Sequence, residues 1–153
     1  MLRLLPGQDA IPQAPVAEGE GHPLFSPHRR AFQVLVVDDD AAKRYALSRA
    51  LRAAGFQVLE AAHGSDALAA VSDCAAAVLD VYLPDMDGFV LCRAIRHGHP
   101  LLPIVQVSSV LVEEPYRQAG REAGANAYLT EPDMGDLVRT LDGLLLASHG
   151  EIQ

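Results

Sequence analysis

Cysteine, basic side chains and long apolar runs are all in short supply. The 153-residue chain has two cysteines, Cys74 and Cys92. They show no metal-ligand spacing and sit in apolar surroundings, which reads as reduced core thiols of a cytosolic protein. Lysine and arginine number 12 against 20 aspartates and glutamates, and the net charge of −8 argues against a nucleic-acid-binding module. No stretch approaches the roughly eighteen consecutive apolar residues of a membrane span. The opening Met1-Leu2-Arg3-Leu4-Leu5-Pro6 has too short an apolar part for a signal peptide. No internal repeat is present.

What the chain does have is alanine and leucine, within a total that is 50% hydrophobic, a composition that suits helices packed on a sheet. The length allows one domain with a proper core, plus a tail. Residues 1–30 carry five of the ten prolines, three glycines and little periodicity. Such a segment buries too little apolar surface to offset its ordering entropy. The expected organisation is a disordered tail over 1–30, a folded domain over 31–148 and a short C-terminal tail over 149–153. His28-Arg29-Arg30, at the junction, reads as a small solvated basic patch.

From Phe32 onward, short apolar runs alternate with helical periodicity. Strands are predicted at Gln33–Val37, Phe56–Ala61, Ala76–Asp80, Pro103–Val107 and Asn126–Leu129. Helices are predicted over Ala42–Ala54, from Ser65 through Val71, from Gly88 to His97, over Glu113–Ala123, and from Met134 to about Ala147. Gly55 stops the first helix, and Pro115 confines the start of the fourth to its first turn. Five strands alternating with five helices imply right-handed crossovers and a parallel sheet covered on both faces. The fold class is therefore α/β, a flavodoxin-like doubly wound five-stranded parallel sheet of order 2-1-3-4-5 with five helices.

The chemistry gathers at two strand ends. Ala76-Ala77-Val78-Leu79 runs into Asp80, and Val34-Leu35-Val36-Val37 runs into Asp38-Asp39-Asp40. With the first and third strands side by side, these carboxylates converge where open α/β sheets hold their ligands. Like charges that close raise one another's pKa or demand a cation, and Mg²⁺, a hard ion that takes carboxylates and water, suits them. After Asp80, Pro84 and Gly88 punctuate a loop, and Asp87 can cap the next helix.

These motifs resemble the signature of bacterial two-component response-regulator receiver domains, with a chemotaxis-regulator-like fold. The residues that carry the resemblance are Asp38-Asp39-Asp40, the run from Leu79 to Gly88, Ser108-Ser109, and Gly124 through Pro132. It covers about Phe32 to Ala147. The resemblance implies that Asp80 takes a phosphoryl group from a sensor histidine kinase or phosphotransfer protein. It implies that Asp39 and Asp80 ligate Mg²⁺ directly, that Asp38 acts largely through water, and that the Tyr82 backbone carbonyl completes the protein ligands. Ser108 stands at the position whose hydroxyl follows the phosphoryl oxygen. Tyr128 stands at the aromatic switch position and is expected to rotate inward on phosphorylation. A downstream protein would read the face of the fourth helix, fifth strand and fifth helix. Neither nucleic acid nor membrane is an expected partner, and a homodimer is compatible. Asp85 and Asp87 are the next acceptors in line after Asp80.

One residue departs from the pattern. The family has a lysine before the proline of its last motif, and here the residue is Glu131. At roughly 5 Å from a phosphoryl group and an effective dielectric near 20, a glutamate would repel it by about 3 kcal/mol per unit charge. Either Glu131 turns away, or another cation substitutes, or the domain is a phosphorylation-independent interaction module. Lys43 is the candidate substitute, set against its plainer reading as a solvated surface lysine. Pro132 is expected to follow a cis peptide bond by the same resemblance. His63, His97 and His99 read as solvent-facing. The Asp-x-Asp of Asp38–Asp40 also occurs in haloacid-dehalogenase-like phosphatases, which need a longer chain. A hydrolase would further need a general base and a substrate pocket, and the sequence offers neither.

Overall fold

Val34, Leu35, Val36 and Val37 are each at most 1% exposed, so the strand β1 (Gln33–Val37) is covered on both faces. Its side chains alternate between two cores, as the two-residue period of a strand requires. Val34 and Val36 join one cluster with Leu47, Leu51, Leu137, Val138, Leu141 and Leu145. Leu35 and Val37 join the other with Leu79, Leu91, Cys92, Ile95 and Ile104. The computed structural model describes residues 26–109, 111 and 113–149. Residues 1–25 of the expected N-terminal tail and 150–153 of the expected C-terminal tail lie outside the described residues.

The chain continues through α1 (Ala41–Ala54), β2 (Gln57–Ala61), α2 (Gly64–Ala70) and β3 (Ala76–Asp80). Then come α3 (Gly88–Gly98), β4 (Ile104–Ser108), α4 (Glu114–Ala123), β5 (Ala127–Thr130) and α5 (Met134–His149). The sheet is parallel throughout, in the order β2-β1-β3-β4-β5. Val37 pairs with Leu79, which brings the residues that follow β1 beside Asp80. α1 begins at an N-cap, Asp40, whose side chain accepts the Ala42 and Lys43 amides, and ends at Gly55 with φ 113°. That left-handed conformation lets the Gly55 amide return to the last helical carbonyls, and it is one a side chain would resist.

β1 and β3 have the boundaries read from sequence, while β4 and β5 each begin and end one residue later than read. Pro103 has no amide to give to the sheet, although its carbonyl accepts the Ala77 amide. The Ile104 amide is taken by the Asn126 side chain at 2.8 Å, so side-chain bonds rather than pairing define that end.

Two expectations need correction here. Arg29 is 3% exposed, not solvated. It sits in a helical turn, Ser26–Ala31, and donates to both carboxylate oxygens of the fully buried Asp142 at 3.1 and 2.7 Å and to the Ala54 carbonyl at 2.9 Å. Its guanidinium also lies over the Phe56 ring. A planar fork that meets a carboxylate in two bonds is how a buried arginine becomes tolerable. No cis peptide bond occurs among the described residues, so the bond before Pro132 is trans. The chain turns there by a left-handed Glu131 (φ 48°), and an X–Pro bond prefers trans by about 0.5–1 kcal/mol unless its surroundings say otherwise.

Candidate functional site

The ends of β1 and β3 do bring the acids together. Carboxylate oxygens of Asp38, Asp39 and Asp80 lie within 4.8 Å of one another. Asp38 is buried, Asp80 half-buried and Asp39 exposed. The Asp40 amide donates to Asp38 Oδ1 at 2.9 Å, which fixes that side chain and leaves its second oxygen for another partner. Burial, opposed by that hydrogen bond, holds the Asp38 carboxyl above its ordinary range. Burial, with the Asp38 carboxylate beside it, pushes the Asp80 carboxyl up to about 6. Three hard oxygen donors, two of them held in a low-dielectric rim with no arginine among them, fit Mg²⁺. The Tyr82 backbone, in an isolated bridge with Asp87, stands just past Asp80 in the chain.

The loop after Asp80 is built to hold still. Asp85 accepts the Gly64 and Ser65 amides at 2.8 and 3.0 Å, so it caps α2 from a distance. Asp87 accepts the Phe89 amide at 2.6 Å and caps α3. Both are therefore engaged as helix caps, which weakens them as alternative phosphoryl acceptors. Met86 packs on Gly64, where a Cβ would meet its side chain at 2.6 Å. At Gly88 a Cβ would run into the Asp80 carbonyl and into Val81 Cα, so only glycine lets α3 start this close to the acid-bearing strand.

On the opposite side of a cleft of about 180 Å³ stand Ser108, Ser109, Glu131 and Pro132, with Asp38, Lys43 and Asp80 across from them. Ser108 is 2% exposed. Its Oγ accepts the Leu111 amide at 2.8 Å, and its carbonyl accepts the Glu131 amide at 3.0 Å. Tyr128 donates its hydroxyl to the Leu111 carbonyl at 2.7 Å. Ser108 and Tyr128 thus grip the same loop residue from two sides. Tyr128 points inward in this structure: the residue is 7% exposed, and burial raises its pKa. Phe89 stacks at 6.5 Å, and Arg117 lies 6.0 Å over the ring while donating to the Tyr128 carbonyl and Thr130 Oγ1.

Sequence reasoning missed Gly120, Gln106 and Leu111 in this arrangement. A Cβ on Gly120 would meet Gln106 Oε1 at 2.7 Å and Tyr128 Cδ2 at 2.8 Å, so the glycine makes room for the ring. Gln106 is fully buried in β4 and donates to the Gly88 carbonyl at 3.1 Å. A glycine inside a helix that otherwise favours good formers was the available signal. Glu131 lines the cleft, is exposed, and enters no ion pair among the described residues. His63 and His97 are exposed and His99 half-buried, and none of the three belongs to the acid cluster.

A doubly wound parallel sheet of order 2-1-3-4-5, with an acid cluster at its carboxyl edge, defines the flavodoxin-like class. Within that class, residues 34–142 match the family described as response regulator receiver domain. The chain belongs to that family, as a signalling module of two-component systems. It is 42% identical over 103 residues to the transcriptional regulatory protein GltR of Pseudomonas aeruginosa, covering 65% of this chain and 42% of that one. It is 37% identical over 116 residues to the transcriptional regulatory protein PrrA of Mycobacterium tuberculosis, covering 74% of this chain and 49% of that one. The chain thus spans under half the length of these relatives. Among solved structures, a CheY-like receiver domain protein from Methanospirillum hungatei superposes with a TM-score of 0.73 at 27% identity, covering 79% of this chain and 98% of that one. The BeF3-activated DrrB receiver domain does so at 0.67 and 28%, covering 76% and 97%. No helix among the described residues is long and apolar enough to cross a membrane.

Proposed function

We infer that Asp80 accepts a phosphoryl group from a histidine kinase or phosphotransfer protein, with Mg²⁺ as cofactor, and that a downstream protein reads the result on the face of α4, β5 and α5. The observation that carries this reading is the meeting of three carboxylates at the ends of β1 and β3, two of which, Asp38 and Asp80, share one small cleft with the buried Ser108. Asp38, Asp39, Asp80 and the Tyr82 carbonyl would hold the ion. Bound there, Mg²⁺ neutralises charge on the phosphoryl oxygens and orients them.

The rest falls to the chain's own residues. A carboxyl that burial raises to about 6 is ionised near pH 7 yet more basic than an exposed aspartate, which suits a nucleophile. In-line attack forms the Asp80 oxygen–phosphorus bond as the phosphorus–nitrogen bond to the donor imidazole breaks, its electron pair leaving with the nitrogen. Such a step needs positioning and charge balance more than covalent help. The Ser108 hydroxyl then donates to a phosphoryl oxygen. That changes its bond to Leu111, which also holds Tyr128, so one new charge is felt on the α4–β5 face.

The test is acetyl phosphate with Mg²⁺, read by intact mass. Wild type should gain one phosphoryl mass and Asp80→Asn none. Label surviving in Asp80→Asn moves the acceptor elsewhere. A wild type that never labels leaves a phosphorylation-independent interaction module as the account.

A further inference from the structure

The cleft beside Asp80 has acids on both walls and one cation. Of the residues that line it, only Lys43 carries positive charge, against Asp38, Asp80 and Glu131. Lys43 and the next residue, Arg44, have been put to different uses. Arg44 is taken up by the Asp38 carbonyl at 2.8 Å and the Glu60 carboxylate at 3.2 Å, on the outer side of α1. Lys43 enters no ion pair among the described residues, and it does not pair with Glu131 on the far wall, so the cleft stays open between them. Its backbone is fixed, because Asp40 accepts its amide at 3.1 Å.

Position adds to this. Lys43 is the third residue of α1, whose first turn holds no acid. A cation there opposes the helix dipole, so its placement is unfavourable unless the negative cluster in front of it offsets the loss.

We propose that Lys43, reaching into the cleft from the first turn of α1, is the cation that binds the phosphoryl group on Asp80, in a site where the opposite wall carries Glu131. This rests on Asp80 being the acceptor. It assigns the phosphoryl oxygens one positive partner from the β1 side of the cleft, with Ser108 across from it. A lysine serves well there, as a compact point charge on a flexible stem that can follow the group as it arrives. Glu131 sets the upper limit on how strongly that group is held.

A plainer role for Lys43, merely offsetting the repulsion among the acids, makes the same forecast for Mg²⁺ and the opposite one for phosphoryl uptake. Removing it would then tighten Mg²⁺ binding and leave phosphoryl uptake unchanged or faster. The experiment measures initial labelling rate with acetyl phosphate at saturating Mg²⁺, and Mg²⁺ affinity by calorimetry, on the full chain. The variants are Lys43→Gln, Lys43→Arg, and Lys43→Gln combined with Glu131→Lys. Lys43→Gln is expected to label about tenfold more slowly or worse, less than the roughly 10²–10³-fold cost of losing a buried donor because Lys43 is exposed to solvent, while binding Mg²⁺ at least as tightly as wild type. Lys43→Arg should keep most of the rate, and Glu131→Lys should restore most of what Lys43→Gln loses. Wild type that labels while Lys43→Gln labels equally fast overturns this inference and leaves the acceptor reading intact. A slower Lys43→Gln that also loses Mg²⁺ affinity overturns it too, because the defect is then in the ion site. A wild type that takes no label overturns both.

Discussion

Asp80→Asn should make the metal-free protein more stable. The amide keeps the shape of the side chain and removes a charge that sits half-buried beside Asp38. Burial and that neighbour raise the Asp80 carboxyl from 3.8 to about 6. At about 1.4 kcal/mol per pH unit, the ionised form is disfavoured in the fold by at most about 3 kcal/mol. Asp80 is partly open to water, which screens the interaction, so the expected gain is about 1–2 kcal/mol. The sign with pH follows from the direction of the shift. Between 3.8 and about 6 the folded protein holds a proton that the unfolded chain has released, so this residue's contribution worsens as pH rises through that window. Asp38, also raised, adds to the same trend. Urea unfolding with EDTA present should therefore show Asp80→Asn well above wild type near pH 7.5, with the difference shrinking below about 6 and gone near 3.8. Equal stability near neutral pH, or a gain that persists in acid, would show that Asp80 is not held in the electrostatic conflict described above.

Other outcomes follow from the same geometry. Asp39→Asn should lower Mg²⁺ affinity by about tenfold or more in a calorimetric titration, since one direct carboxylate ligand is lost. Gly120→Ala should destabilise by about 1–3 kcal/mol of overpacking, offset by up to about 1 kcal/mol of helix propensity, and should shift tyrosine fluorescence as the Tyr128 ring moves. Asp142→Ala should cost about 3–5 kcal/mol in chemical denaturation because it strands a buried guanidinium. Arg29→Met together with Asp142→Leu should recover most of that loss.

Much of this molecule was legible because its signals are local and repeated. The runs ending on Asp38 and Asp80 are strands because they are apolar, short and bounded by acids, and the adjacency of β1 and β3 follows from five alternating units. The site's acids were legible for the same reason, since each is the last residue of such a run or the one after it. Arg29 was not legible, because a single helical turn after a proline-rich stretch has no periodicity to reveal it. Its partner left a trace all the same: Asp142 follows Val138 by four residues, which sets it on the apolar stripe of α5, where a lone acid needs a cation. The trans bond before Pro132 escaped as well, because the expectation of cis came from the resemblance alone, and residue type gives weak notice of the isomer. The inward Tyr128 depends on a gap left by Gly120 on another helix, a relation between elements that no local pattern encodes.

The pinned loop after Asp80 gives the cleft one stiff jaw, set against a wall built on Ser108, Leu111 and Tyr128. On the stiff side, two capped helices, the close backbone approach at Gly88 and the Met86 side chain packed on Gly64 tie the chain from Val81 to Gly88 into its surroundings. On the other side, the Ser108 and Tyr128 side chains bond to each other and both bond to Leu111, one through its amide and the other through its carbonyl. On the proposed reading, charge arriving at the Asp80 carboxylate meets a fixed loop on one side, which leaves the wall of Ser108 and Tyr128, toward α4 and β5, to answer it. Under that reading, stiffness on one wall acts as a rectifier and selects the surface that reports on the cleft.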